Sequence, residues 1–372
     1  MTTNPFHSHC DPFSLTEKEF WNLIRTISRQ AVLETHEQAY VDAQGASAET
    51  IGAELTDQMS LGEKIDRVQS LVDARDPDVK PRLSTAGERA APIDKIMHRR
   101  VRDRLFELVG DLIKAVTGEE GTADEWREFL SLPKGALGAI IDPVDGTSNE
   151  RAIREAFSCN IAIFRSRGDG TFDLLGGTGT NSSNETLEFD LNPGSASMTS
   201  PMGTTIDLTG AAFDPGKRMT GTLATVASRG PARDELSGIL DPHASFHLPP
   251  AEYGDQTYYD PALTVFLTSG APKMISWPLS ELEYLYVPHD QAVYDAIPMV
   301  GVLLAGNCTY YVASTGKPAT LEDFIGWLSD VKPPKGDDPN HHRPFKAGLL
   351  VRDGANPDTT REILKKIKAA VN

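Results

Sequence analysis

Cysteine is scarce in this chain, with Cys10, Cys159 and Cys308 the only three among 372 residues. The number is odd, the spacings are long and no Cys-x-x-Cys pair occurs, which argues against a disulfide framework or a structural zinc knuckle. Cys159 and Cys308 lie among apolar residues and are expected to be buried thiols. Histidine supplies no metal pattern either, since His98, His289, His341 and His342 form no His-Glu-x-x-His arrangement. No run of about twenty apolar residues occurs, and the amino terminus lacks a basic segment followed by an apolar one, so a cytoplasmic protein without a membrane span is expected. Positive charge is in deficit: 36 basic residues face 53 acidic ones, a formal net charge of -17. That balance argues against binding a nucleic-acid polymer or an anionic membrane. An anionic small molecule would need local neutralisation, which bound cations supply.

What is present is an ordinary globular composition, 39% hydrophobic and 24% charged, in a chain long enough for one or two domains. Ser14-Leu15-Thr16-Glu17 has capping-box form, and Phe20, Leu23, Ile24, Ile27 and Ala31 follow at helical spacing. Residues 36–60 are mixed, and another helical stretch starts at Leu61. Ile93, Met97, Val101, Leu105 and Leu108 give a further helical stripe, with Asp94 in its first turn. Strands are expected at 115–117, 139–141, 157–164, 172–175, 186–189, 205–208, 222–227, 263–267, 273–275 and 347–351. Helices are expected at 290–304 and from Pro357, whereas 306–316 reads as either helix or strand. Tyr253, Tyr258 and Tyr259 either line a pocket for a polar ring or are ordinary half-buried tyrosines.

The densest chemistry lies in Ile140-Ile141-Asp142-Pro143-Val144-Asp145-Gly146-Thr147-Ser148-Asn149. An apolar run ends in two carboxylates three residues apart, and Pro143 resists ladder pairing, so the chain should leave the sheet there. Gly146 allows close backbone approach to a ligand, and Thr147 or Ser148 can cap a following helix. Carboxylates beside anion-seeking N–H groups suit a site in which Mg2+ sits between protein and phosphate. The plain alternative is a pair of surface turns. Gly118-Glu119-Glu120-Gly121 reads as a solvated turn or as a second strand end beside Asp142. Asp94 reads as a cap residue or as part of the same site.

Taken in order, these features resemble the inositol monophosphatase-like family, the lithium-sensitive Mg2+-dependent phosphatases that include fructose bisphosphatases and phosphoadenosine phosphatases. The resemblance implies an α/β (α+β layered) fold, a sandwich of alternating helix and sheet layers. It implies an amino-terminal domain over 1–218 with the main motif and a carboxy-terminal α/β domain over 219–372 that adds a late acidic ligand. Two or three Mg2+ ions are implied, held by Glu119, Asp142, the Val144 carbonyl, Asp145 and the late acid. That acid falls at Glu322 when Gly326 is registered on the family's glycine, or at Asp323 after a one-residue slip. Thr320 can equally cap a helix with both acids in its first turn.

The resemblance assigns Thr147, supported by Asp94, to orient and deprotonate water, with Glu119 on the first metal and the Gly146 and Thr147 N–H groups on phosphate. It implies a homodimer acting on a small polyol or sugar phosphomonoester. Alternatives are 3'-phosphoadenosine 5'-phosphate or fructose 1,6-bisphosphate hydrolysis, in the first of which Tyr253 or Tyr259 would stack on adenine. An alternative of another class is a non-catalytic metal-dependent binding or scaffold protein.

Overall fold

The longer helices form where apolar residues recur at helical spacing, and the central strands alternate their side chains between two cores. A computed structural model describes residues 15–45, 92–110, 112–146, 157–209, 223–226, 251–253, 256–258, 267–268, 274–279, 283–287, 290–329, 331–332 and 344–371. Helix α1 (Glu17–Gly45) buries Phe20, Ile24, Ile27 and Ala31 completely. Its capping box lies two residues later than the sequence suggested. The Glu19 N–H donates to Thr16 Oγ1 at 3.3 Å, and the Thr16 N–H donates to Glu19 Oε2 at 2.8 Å. Helix α2 (Pro92–Val109) buries Ile93, Met97, Val101 and Leu105, whereas Leu108 stays 42% exposed.

The first sheet runs β1 (Ile113–Gly118), β2 (Leu137–Asp145), β3 (Ser158–Ser166), β4 (Phe172–Asn181), β5 (Thr186–Asp190), β6 (Ser195–Thr199) and β7 (Thr205–Asp207), in that spatial order. Only β1 and β2 pair parallel, joined through helix α3 (Ala123–Leu130); the rest form an antiparallel meander. Strand alternation divides β2 and β3 between two cores. Leu137, Ala139, Ile141, Ile161 and Ile163 face α1 and α2, while Ile140, Ala162 and Phe164 face the opposite core.

On that opposite side lie helices α4 (Val293–Ala305) and α5 (Leu321–Ser329). Helix α4 is apolar nearly all round, as a helix covered on several sides must be. A second sheet contains β8 (Leu223–Val226), β11 (Leu267–Thr268), β12 (Tyr284–Val287), β13 (Cys308–Val312), β14 (Pro318–Ala319) and β15 (Gly348–Arg352), in the order β11-β8-β12-β15-β13-β14. A separate hairpin is formed by β9 (Ala251–Tyr253) and β10 (Gln256–Tyr258). Leu285, Val287 and Leu350 turn toward α4, whereas Tyr284, Tyr286, Leu349 and Val351 turn toward α6 (Pro357–Val371). The layers are therefore helix, sheet, helix, sheet, helix, the alternating sandwich expected from the sequence.

Several local expectations need correcting. Strand β2 does not leave the sheet at Pro143 but continues to Asp145, with its register to β3 shifting between Asp142 and Asp145. A bulge tolerates the missing N–H of proline, so the strand survives it. Met274 and Ile275 lie in a helical turn rather than a strand, leading into a 3-10 turn at Trp277–Leu279. The open reading of 306–316 resolves as β13 followed by a turn. The expected helix from Leu61, the segment 46–91, Thr147 to Ala156, Tyr259, most of 263–267 and the proposed boundary near 219 lie outside the described residues. Among the described residues no helix is long and apolar enough to cross a membrane.

Candidate metal centre

The site is assembled at the ends of β1 and β2 because their parallel pairing sets Gly118 beside Ile141. A Cβ on Gly118 would lie 1.8 Å from the Ile141 carbonyl oxygen, so only glycine permits this approach. Gly118-Glu119-Glu120-Gly121 then forms a tight turn, closed by the Gly121 N–H donating to the Gly118 oxygen at 3.1 Å. Trp126 Nε1 donates to the same oxygen at 3.1 Å and ties the turn to α3.

Asp142 is 3% exposed, in the strand just before the bulge. Its Oδ1 accepts the Val144 N–H at 3.2 Å, the two-residue bond that an aspartate makes readily at a turn. Its Oδ2 is buried and has no hydrogen-bond partner. Val144 is buried, Asp145 is half-buried, and Gly146 turns the chain away at φ 91°, a conformation costly for any residue with a Cβ.

One oxygen each of Glu119, Asp142 and Asp295 lie within 4.8 Å of one another. Asp295 comes from the first turn of α4. Desolvation and the charges of Glu119, Asp145, Asp295 and Asp94 push the Asp142 carboxyl well above the usual carboxylate range. Desolvation and the charges of Asp295, Glu120, Asp94 and Asp145 do the same to Glu119. Asp94, buried in the first turn of α2, thus belongs electrostatically to the same group.

The arrangement fits a hard divalent cation. Six-coordinate Mg2+ with bonds of about 2.1 Å holds neighbouring oxygens about 3 to 4 Å apart, within the 4.8 Å limit met by these three carboxylates. An unpartnered, buried carboxylate oxygen such as Asp142 Oδ2 is the donor such an ion takes, and the ion's charge would offset the mutual repulsion of the acids.

The late acids named from the sequence lie apart from this group. Glu322 and Asp323 are both exposed, and neither belongs to this group of oxygens. Asp323 is engaged in a capping box with Thr320, its N–H donating to Thr320 Oγ1 at 3.2 Å and its Oδ2 accepting the Thr320 N–H at 2.7 Å. Hydrogen bonds from Thr320 hold its carboxyl below the ordinary range. The third acid of the group is Asp295. Its signal was present in the sequence as Tyr294-Asp295-Ala296, an aromatic-acid-small run opening an expected helix and leading to Gly301.

The remaining expected groups are placed unevenly. Thr147 and Tyr259 lie outside the described residues, and Tyr253 is described only as backbone in β9. Cys159 is buried and its thiol pushed up to about 12 by burial, while Cys308, half-buried, is likewise pushed up to about 12. Thiols this hard to ionise are poor nucleophiles at neutral pH.

No family profile and no curated protein matches the chain. Solved structures do. The native extragenic suppressor protein suhB of Bartonella henselae is 10% identical, with 93% of this chain and 97% of that one covered, at a TM-score of 0.48. SuhB of Mycobacterium tuberculosis is 13% identical over 95% of this chain and 98% of that one, at 0.47. Inositol monophosphatase II of Staphylococcus aureus is 12% identical over 95% and 98%, at 0.45.

Proposed function

We propose that this chain is a Mg2+-dependent phosphomonoesterase of the inositol monophosphatase-like family, acting on a phosphate ester of a small polyol or sugar. The observation that carries the reading is the meeting of Glu119, Asp142 and Asp295 within 4.8 Å, with Asp142 Oδ2 buried and unpartnered. Glu119, Asp142 and Asp295 would hold the ion, with Asp145 and the Val144 carbonyl as further ligands. When bound, the ion would supply Lewis acidity toward water and a phosphoryl oxygen.

The chain's own part is positioning. The turn at Gly118–Gly121 and the bulge at Asp142–Asp145 fix two carboxylate-bearing strand ends side by side. Gly146 exposes backbone at the point where a phosphate would approach. Thr147, with Asp94 behind it, is assigned to accept the proton of the attacking water, as the resemblance implies. A homodimer and a cytoplasmic setting belong to the same reading.

A phosphate-release panel tests it, using inositol phosphates, fructose 1,6-bisphosphate and 3'-phosphoadenosine 5'-phosphate, each with Mg2+ and with a chelator. Release of phosphate from an inositol phosphate or related sugar phosphate that stops on chelation is the expected result. Preference for the adenosine compound would move the substrate to the nucleotide branch. Mg2+ binding with no hydrolysis of any compound would overturn the enzymatic reading in favour of a binding protein.

A further inference from the structure

Directly across from Asp142, on β3, stands Asn160. Residues opposed in antiparallel strands point to the same face, with Cβ atoms about 5 Å apart. Asn160 is fully buried, and its Nδ2 has no hydrogen-bond partner. Its Oδ1 is already used, accepting from Ser158 Oγ at 3.3 Å. A buried donor without an acceptor thus stands opposite a buried acceptor, Asp142 Oδ2, without a donor. Each such group costs stability while its bond is unmade, and here the two needs are complementary.

The next strand is cut back to make room for this amide. Gly179 of β4 is the register partner of Asn160, and a Cβ there would come within 3.0 Å of Asn160 Oδ1 and 2.9 Å of Ile275 Cδ1. Ser158 lies two residues from Asn160 on the same face, and its hydroxyl engages the Oδ1 end of the amide. The donor end is left over. That is the end able to stabilise an ionised Asp142, since a carboxylate oxygen has two lone-pair sites and can accept an N–H while it faces a cation.

We infer that Asn160 is a positioning residue for the metal centre: its Nδ2 orients the Asp142 carboxylate toward the ion, and Ser158 holds the amide in the required sense. The inference rests on the cation reading proposed above and assigns it a residue outside the acidic group. Groups behind a metal ligand commonly alter ion affinity by about 10- to 100-fold when removed.

The test is Mg2+ affinity by calorimetry, paired with the melting temperature of the chelated full-length protein. Asn160→Leu should weaken Mg2+ binding by about 10- to 100-fold. Its chelated form should melt no lower than wild type, because an unmade buried donor has been removed. A merely structural asparagine would give the opposite pair, a lowered melting temperature with unchanged affinity, and that result overturns the inference. If Asn160→Leu does not fold, Ser158→Ala decides: a several-fold loss of affinity supports the chain of contacts, and none overturns it. Failure of the wild-type protein to bind Mg2+ would instead sink the cation reading on which both rest.

Discussion

The starts of α4 and α5 look alike in sequence, Tyr294-Asp295 in one and Leu321-Glu322-Asp323 in the other, but they are built differently. At α5 the acid and Thr320 satisfy each other's backbone N–H groups, so Asp323 is spent on capping. At α4 the N-cap is Ala292 and no side chain caps the helix, while Asp295 joins Glu119 and Asp142. The α1 and α3 starts follow the α5 pattern through Thr16 with Glu19 and Thr122 with Glu125. An acid in a first helical turn is structural when a Thr three residues earlier uses it. Where no such Thr precedes it, as at α4, capping does not account for the acid.

Exchanging charge for amide at each helix start is the most direct way to break this comparison. Asp295→Asn and Asp142→Asn should each cost several kcal/mol of transition-state stabilisation, on the order of a thousandfold in turnover, through loss of the ion. Glu322→Gln should change steady-state phosphate release by less than about twofold, since surface substitutions away from a site have small effects. Equal losses in Asp295→Asn and Glu322→Gln would restore the later helix as the ligand donor.

Much of this was legible from sequence because periodicity reports which face of an element is buried. The stripes of α1 and α2 and the apolar runs of β1 to β3 are read that way, and the strand-end acids Glu119 and Asp142 follow from their position just past those runs. Ligand identity at a helix start is less visible. A first-turn acid has the same local appearance whether it caps or coordinates, and tertiary placement decides between them. Asp295, in a helix that was itself expected, carries no local mark that separates it from Glu322 or Asp323, the acids aligned on a distant glycine. The bulge at Pro143 was hidden for a related reason, since whether a proline ends a strand depends on the partner strand. Asn160 gave no signal at all, because an isolated asparagine in an apolar strand acquires meaning only from what lies opposite.

Binding energetics give the next largest effect and sharpen the contrast without needing a substrate. Mg2+ at about one hundred times its Kd should stabilise the fold by about 2.7 kcal/mol, read as a rise in melting temperature. The rise should vanish in Asp295→Asn and persist in Glu322→Gln. Persistence in both would place the ion elsewhere.

Helix α3 extends the comparison to pH. Burial opposes ionisation of Glu125, but the nearby His98 imidazole and the hydrogen bonds from the Thr122 backbone and Arg102 prevail and hold the carboxyl down at about 2. His98 Nε2 lies 3.5 Å from Oε2, too far for a well-formed hydrogen bond. Because the folded value lies below the ordinary 4.5, the stabilisation is present above that pH and is lost as pH falls from 4.5 toward about 2. Glu125→Gln should therefore be less stable than wild type at pH 7, with the gap closing across that acidic window in denaturant titrations. A gap independent of pH would mean that Glu125 acts through packing alone.

The smallest expected effect isolates capping itself. Thr320→Ala removes the hydroxyl that accepts the Asp323 N–H, and loss of such a cap typically costs about 1 kcal/mol. Freed from Thr320 Oγ1, Asp323 remains on an exposed turn, so Mg2+ affinity should not change while the unfolding midpoint falls. The informative quantity is that separation. If Thr320→Ala altered ion affinity together with stability, the start of α5 would be coupled to the carboxylate group after all, and the distinction between capping and coordinating acids would fail where it was first drawn.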